Sequence, residues 1–260
     1  ALSQGQLGAS LTLVFGALFL FNLAAAAQDV ATDGLGVRLL SARERCLGNG
    51  IQVGAYRIGM ILCGGLLLRI FARAGWPTMF LGMAALLFLT LLPVLFLHES
   101  QAHAPPDARP RWGTMTVAWM ARLRLRGMLP FVLLIGFYKF GDSMVATLVG
   151  PFMRDSKLAL EQIAFVKGTI GSSVSLLGAA TGGWLAYRFG RRSALLIAGL
   201  LQTASLTLYA AAAFSGGDAM LIYAASTAEH RWGGMATVAL FTLMMDASDP
   251  EHASTDYTLF

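Results

Sequence analysis

The sequence predicts an all-α, polytopic membrane protein, and three observations carry that expectation. Charged residues are scarce, at 13% of 260 against 56% hydrophobic, with a mean hydropathy of +0.64. A soluble domain carries about 25% charged residues, roughly twice as many. Apolar windows recur at about 20 residues, the length that crosses a hydrocarbon core. The basic residues behind the net charge of +5 gather in a few connecting segments, which suits cytoplasmic loops better than a nucleic-acid surface. The short alternating segments of a β-barrel do not occur.

Hydropathy draws seven spans, near 8–34, 48–71, 77–97, 129–150, 162–186, 193–214 and 219–246. Three connections are basic: Arg38, Arg43 and Arg45 follow the first span, Arg109 to Arg126 precede the fourth, and Arg188, Arg191 and Arg192 follow the fifth. They alternate with less positive turns around Gly75, Ser156 and Gly217. The basic set is expected to face the cytoplasm. On that orientation the first span runs from outside to inside, which anticipates helices before it. Ala1–Gly8 has no basic segment of a signal peptide, and Ala253–Phe260 reads as a new segment starting, so a piece of a longer protein is expected.

One connection is long. His98–Met128 opens with a Pro-rich polar stretch and reads as a linker between a three-span part, 1–97, and a four-span part, 129–260. Its second half, with Trp112 and Trp119 among arginines, fits either an amphipathic helix on the membrane surface or a solvated basic loop.

Charges inside spans cost a few kcal/mol each and usually face a bundle interior or a water path. Asp29 and Asp33 lie four apart beside Gln28, so a helix places both carboxylates on one face, a turn apart. Against a buried polar path stands a span that ends near Ala27 and leaves both acids wet. Arg57 lies early in the second span, among Gly54, Gly59, Gly64 and Gly65, where helices can approach closely. It is placed to pair with Asp29 or Asp33, with a snorkelling arginine as the competing reading. Lys139 and Asp142, beside Tyr138, sit mid-span and three apart, within pairing reach on one helix face. Glu229, His230 and Arg231 fall in the last full span, where Glu229 and Arg231 suit a zwitterionic or acidic ligand; a re-entrant turn is the alternative. Lys167 is a weaker case, read as close to a helix end.

The exclusions are as informative. The sequence has no G-x-S-x-G, H-E-x-x-H or Walker A pattern, so neither hydrolysis nor ATP coupling has a warrant. Cys46 and Cys63 have neither metal nor C-x-x-C spacing. No metal, cofactor or nucleic-acid partner is expected.

Gly182–Arg192, "GGWLAYRFGRR", resembles the G-x-L-x-D-R-x-G-R-R loop of the major facilitator superfamily, with matches at Gly183, Leu185, Arg188, Gly190, Arg191 and Arg192. Tyr187 stands where the motif usually has Asp. The segments "QDVATDG", "GAYRIGMIL" and "YKFGD" narrow the likeness to the AmpG-like permeases, in the order of that subfamily's helices four, five and seven. The resemblance implies an incomplete superfamily bundle running from helix four to the start of helix eleven. It also implies a monomeric carrier in the bacterial inner membrane that imports anhydromuropeptides with protons. Gln28, Asp29, Asp33, Arg57, Tyr138, Lys139, Asp142 and Glu229 would line the path of substrate and protons, and Gly183 to Arg192 would form a cytoplasmic gating loop. The related acetyl-CoA transporters keep the substrate open, and "AEHRWGG" departs from the subfamily's usual form of that helix. A membrane receptor that binds the same ligand without moving it is the alternative of a different class. A membrane enzyme is disfavoured by the missing catalytic set.

Overall fold

A computed structural model describes residues 4–96, 117, 120, 121, 124, 127–249, 256 and 257. The linker and its Trp112 and Trp119 fall largely outside these residues. Among the described residues the regular structure is entirely helical. It comprises α1 (Gln4–Leu39), α2 (Glu44–Ile61), α3 (Leu68–Leu95), α4 (Met128–Asp155), α5 (Leu160–Ala164), α6 (Gly171–Phe189), α7 (Arg191–Phe214) and α8 (Ala219–Ala247). A π-helical turn, Leu62–Leu67, joins α2 to α3, and another, Phe165–Ile170, joins α5 to α6.

The helix ends follow from local chemistry. Glu44 folds back on Ser41, accepting from its backbone N–H at 3.0 Å and its hydroxyl at 2.6 Å, which starts α2. These two bonds hold the Glu44 carboxyl below its ordinary value. Asp218 caps α8 by accepting from the Leu221 N–H at 3.0 Å. Within α3, Gly75 has φ 75° and ψ −177°, a conformation open to a residue without Cβ, and it divides the second predicted span from the third. Pro77, two residues on, sits in the first turn of the next segment, where its missing N–H costs nothing.

Five described segments are long and apolar enough to cross a membrane: Leu11–Leu39, Arg73–Leu95, Met128–Asp155, Leu160–Phe189 and Arg191–Phe214. The predicted spans at 48–71 and 219–246 also form helices but are less apolar. Both carry polar side chains that other helices cover: α6 packs against α2 and α8, and α7 packs against α8. Helix α8 is the most interior, with Ile222, Val238, Ala239 and Leu240 fully buried. By contrast α1 and α3 expose large apolar side chains, including Leu13 at 74%, Phe88 at 67% and Leu95 at 74%. Apolar surface on that scale suits lipid or further helices rather than water.

Between apolar helices in lipid, association rests on van der Waals contact, and small residues permit the closest approach. Helix α6 uses them on two sides. A Cβ at Gly182 would lie 2.6 Å from the Met235 carbonyl oxygen on α8, and one at Gly183 would lie 3.0 Å from that of Cys46 on α2. Gly178 and Gly234 make equally tight contacts along the α6–α8 seam. Of the glycines near Arg57, Gly54 meets the Leu176 side chain at 3.2 Å, whereas Gly59 faces nothing within 4 Å. Close packing by glycine therefore centres on α6, with Gly50 and Gly54 as contributions from α2.

Candidate functional site

Three polar clusters lie within the helices, and a fourth closes their basic end. In the first cluster, α1 continues unbroken through Gln28, Asp29 and Asp33 to Leu39, so the acids do not follow a helix end. Gln28 and Asp29 are exposed, while Asp33 is half-buried and turned toward α2. There Gln52 Nε2 donates to Asp33 Oδ1 at 2.8 Å.

This arrangement corrects the expected pairing with Arg57. Gln52 is more than one helical turn before Arg57 on α2, and it, rather than Arg57, lies at the level of Asp33. Arg57 instead approaches Met60 Sδ at 3.7 Å and lies 5.7 Å from the Tyr56 ring centroid. Among the described residues, no carboxylate comes within 4 Å of it.

The second cluster joins α4 to α7. The Tyr138 hydroxyl donates to Gln202 Oε1 at 3.1 Å, and Gln202 Nε2 donates to Asp142 Oδ1 at 3.0 Å. Asp142 Oδ2 lies 3.9 Å from Lys139 Nζ, so the sequence-predicted pair forms, at the long limit of an ion pair. Lys139 Nζ also sits 5.4 Å from the centroid of Phe241 on α8. Phe241 in turn packs edge-on against Tyr257 at 6.4 Å.

The third cluster lies between α7 and α8. Helix α8 is continuous from Ala219 to Ala247, which rules out a re-entrant turn at Ser226–Gly234. Glu229 Oε2 accepts from the Tyr209 hydroxyl at 3.4 Å and lies 3.3 Å from His230 Nδ1. His230 Nδ1 also faces the Ser226 carbonyl at 2.8 Å; that oxygen can only accept, so Nδ1 carries a proton. A Cβ at Gly171 would lie 2.5 Å from His230 Cδ2, so the imidazole is wedged against α6. Arg231 stacks over Trp232 at 5.3 Å instead of joining Glu229. Lys167 falls inside the second π-helical turn, not at a helix end, and donates to the Ala146 carbonyl of α4 at 3.4 Å.

The fourth cluster unites the two parts of the chain. Asp246, at the end of α8, accepts from Arg45 Nη1 at 3.2 Å, and its Oδ2 forms an ion pair with the Arg191 guanidinium, 2.5 Å from Nε. Arg45 further donates to the carbonyls of Leu40, Val37 and Met245, and Arg191 to that of Ala42. Just inside, the fully buried Asn49 donates to Thr242 Oγ1 at 3.3 Å and approaches Met245 Sδ at 3.2 Å. Gly190, with φ 87°, makes the turn that starts α7 at Arg191. Gly183 is buried in the α2 contact, whereas Arg188 and Arg192 are exposed.

Sequence reading named Gln28 and Tyr138 beside the charges but missed the other neutral partners. Gln52, Gln202 and Tyr209 each complete a cluster, and each is a polar residue inside a helix. A scan for amides and phenols as well as charges would have found them. Asp246 was equally visible as an acid at the end of the last span, opposite an excess of arginines.

A profile of the family described as Major Facilitator Superfamily matches residues 1–260. The chain is 32% identical over 240 residues to a protein named anhydromuropeptide permease from Escherichia coli (strain K12), covering 90% of this chain and 48% of that protein. An uncharacterized protein of Haemophilus influenzae is 29% identical over 246 residues, with 90% and 58% covered. A protein named putative transporter AmpG 4, from Rickettsia conorii, is 23% identical over 274 residues, with 100% and 64% covered. The chain thus spans about half to two-thirds of the length of these relatives.

Proposed function

The chain belongs to the Major Facilitator Superfamily, a family of transporters rather than enzymes, and from that premise we propose that the whole protein is a proton-coupled importer of anhydromuropeptides. The likeness to the Escherichia coli permease supports the substrate. The observation that carries the reading is the relay Tyr138–Gln202–Asp142–Lys139, polar and ionisable groups joined across two apolar helices. A helix pair built only for stability in lipid has no need of a carboxylate and an ammonium, because each is costly there.

Mechanistically, the two helical parts rock about a site near the bilayer midplane. Gln28, Asp29, Asp33, Arg57 and Glu229 line the path together with the α4 residues. Asp29 binds and releases the coupled proton, for it is the acid of its pair without a hydrogen-bond partner among the described residues. Asp33, held by Gln52, stays in place as its neighbour. The loop from Gly183 to Arg192 gates the cytoplasmic end through Arg191 and Asp246. The protein works as a monomer in the bacterial inner membrane.

Proteoliposomes of the full-length protein test this. Labelled anhydromuropeptide should accumulate against its gradient only while an inward proton gradient is imposed. Unlabelled anhydromuropeptide should compete and acetyl-CoA should not. Binding without uptake would instead mark a receptor, and competition by acetyl-CoA alone would reassign the substrate. Reporter fusions after Arg45, Arg111 and Arg192 should report cytoplasmic, and those near Gly75, Ser156 and Gly217 external.

A further inference from the structure

At the basic end lies an open cavity of about 430 Å³, lined by Arg43, Cys46, Tyr187, Arg188, Gly190 and Arg191. Pockets that hold small ligands run from roughly 300 to 1,000 Å³, so its size is sufficient. Its walls come from both parts of the chain: Arg43 and Cys46 from the start of α2, the others from the α6–α7 turn.

The charge around it is unbalanced. Asp246 is shared by Arg45 and Arg191, and Glu44 is engaged by Ser41. Arg43 and Arg188 are exposed and have no carboxylate within 4 Å among the described residues. Arg188 only stacks on its neighbour Phe189, at 5.4 Å. Tyr187 adds a neutral phenol, a further hydrogen-bond donor, where a carboxylate would have cancelled the field. Guanidinium groups converging on one concavity match the oxygens of a phosphate group, which takes paired N–H donors.

We propose that this cavity binds a phosphate-bearing anion, gripped by Arg43 from one part of the chain and Arg188 from the other. The bound anion ties together the two parts at the end that the Arg45–Asp246–Arg191 cluster already closes. Its occupancy therefore favours the conformation closed at that end. Two sources share this chemistry: the headgroup of an anionic phospholipid and free phosphate.

Cys46, buried in the cavity wall, is alkylated only as this end opens, so its rate reports on closure by the bound anion, with Cys63 replaced by Ser to silence the exposed second thiol. The full-length C63S protein in detergent is titrated with dihexanoyl phosphatidylglycerol, inorganic phosphate, or dihexanoyl phosphatidylcholine as the neutral-headgroup control. Melting temperature and the rate of Cys46 alkylation are read together. An anion should raise the melting temperature saturably and slow alkylation. Charge-assisted bonds of this kind imply about tenfold weaker binding or more in R43Q/R188Q, with R43K/R188K retaining part of it. Protection by phosphatidylglycerol alone identifies a lipid headgroup, and protection by inorganic phosphate identifies the free ion. Equal effects of phosphatidylcholine, no saturable effect on the unsubstituted arginines, or an unchanged response in a folded R43Q/R188Q would overturn the site. The single variant R43Q serves should the double variant not fold. Binding is read without transport, so failure here leaves the transport reading standing.

Discussion

Gln52 donates its side-chain amide to the Asp33 carboxylate at 2.8 Å, and this bond, not an ion pair with Arg57, ties α1 to α2. A neutral donor holds an anion in place without cancelling its charge.

A direct contrast follows. Gln52→Leu should reproduce the defect of Asp33→Asn, lowering folded yield or substrate affinity, because a hydrogen bond to a charged group contributes about 1.5–3 kcal/mol. Arg57→Gln, which removes no bond between α1 and α2, should leave folded yield much closer to wild type. Folded yield and melting temperature of the three full-length variants decide the matter, and a severe loss confined to Arg57→Gln would restore the ion pair.

The α4–α7 relay gives a second expectation. Asp142 faces both Gln202 and Lys139, so Asp142→Asn strands the ammonium and should abolish accumulation. Lys139→Gln should do the same from the other side, and the double variant should be less impaired than the sum of the two. A coupling on the order of 0.5–3 kcal/mol is expected for groups in one network. Uptake rates of the four proteins complete the cycle, and strict additivity would make the 3.9 Å contact incidental.

The basic end supplies a third. Asp246→Asn removes the anion shared by Arg45 and Arg191, and the two parts should separate there more often. Cys46, 2% exposed, then becomes reachable. Loss of a partly buried ion pair of about 1–3 kcal/mol corresponds to roughly five- to 150-fold faster alkylation in a C63S background. An unchanged rate would mean that Asn49, Thr242 and the α6 glycines alone keep this end shut.

The sequence made the helices and their polarity legible because hydropathy and loop charge are local properties. The kink at Gly75 and the turn at Gly190 were legible too, as Gly between apolar runs. Partners were not. Asp33 pairs with Gln52 rather than Arg57 because pairing depends on the level at which α1 and α2 meet, and tertiary packing sets that level. Likewise Arg231 lies two residues from Glu229, on another face of α8, so closeness along the chain misled. Asp246 escaped attention because its partners Arg45 and Arg191 are 201 and 55 positions away and no local pattern joins them.

The most direct test of proton-coupled import is to watch the proton itself. Vesicles bearing the full-length protein, with no imposed gradient, receive a pulse of anhydromuropeptide while external pH and substrate entry are recorded together. Wild type should alkalinise the medium as substrate enters. Asp29→Asn should abolish the pH change and uphill accumulation while counterflow exchange of substrate stays measurable. Substrate entry through wild type without any pH change, or a full pH change through Asp29→Asn, would contradict the account.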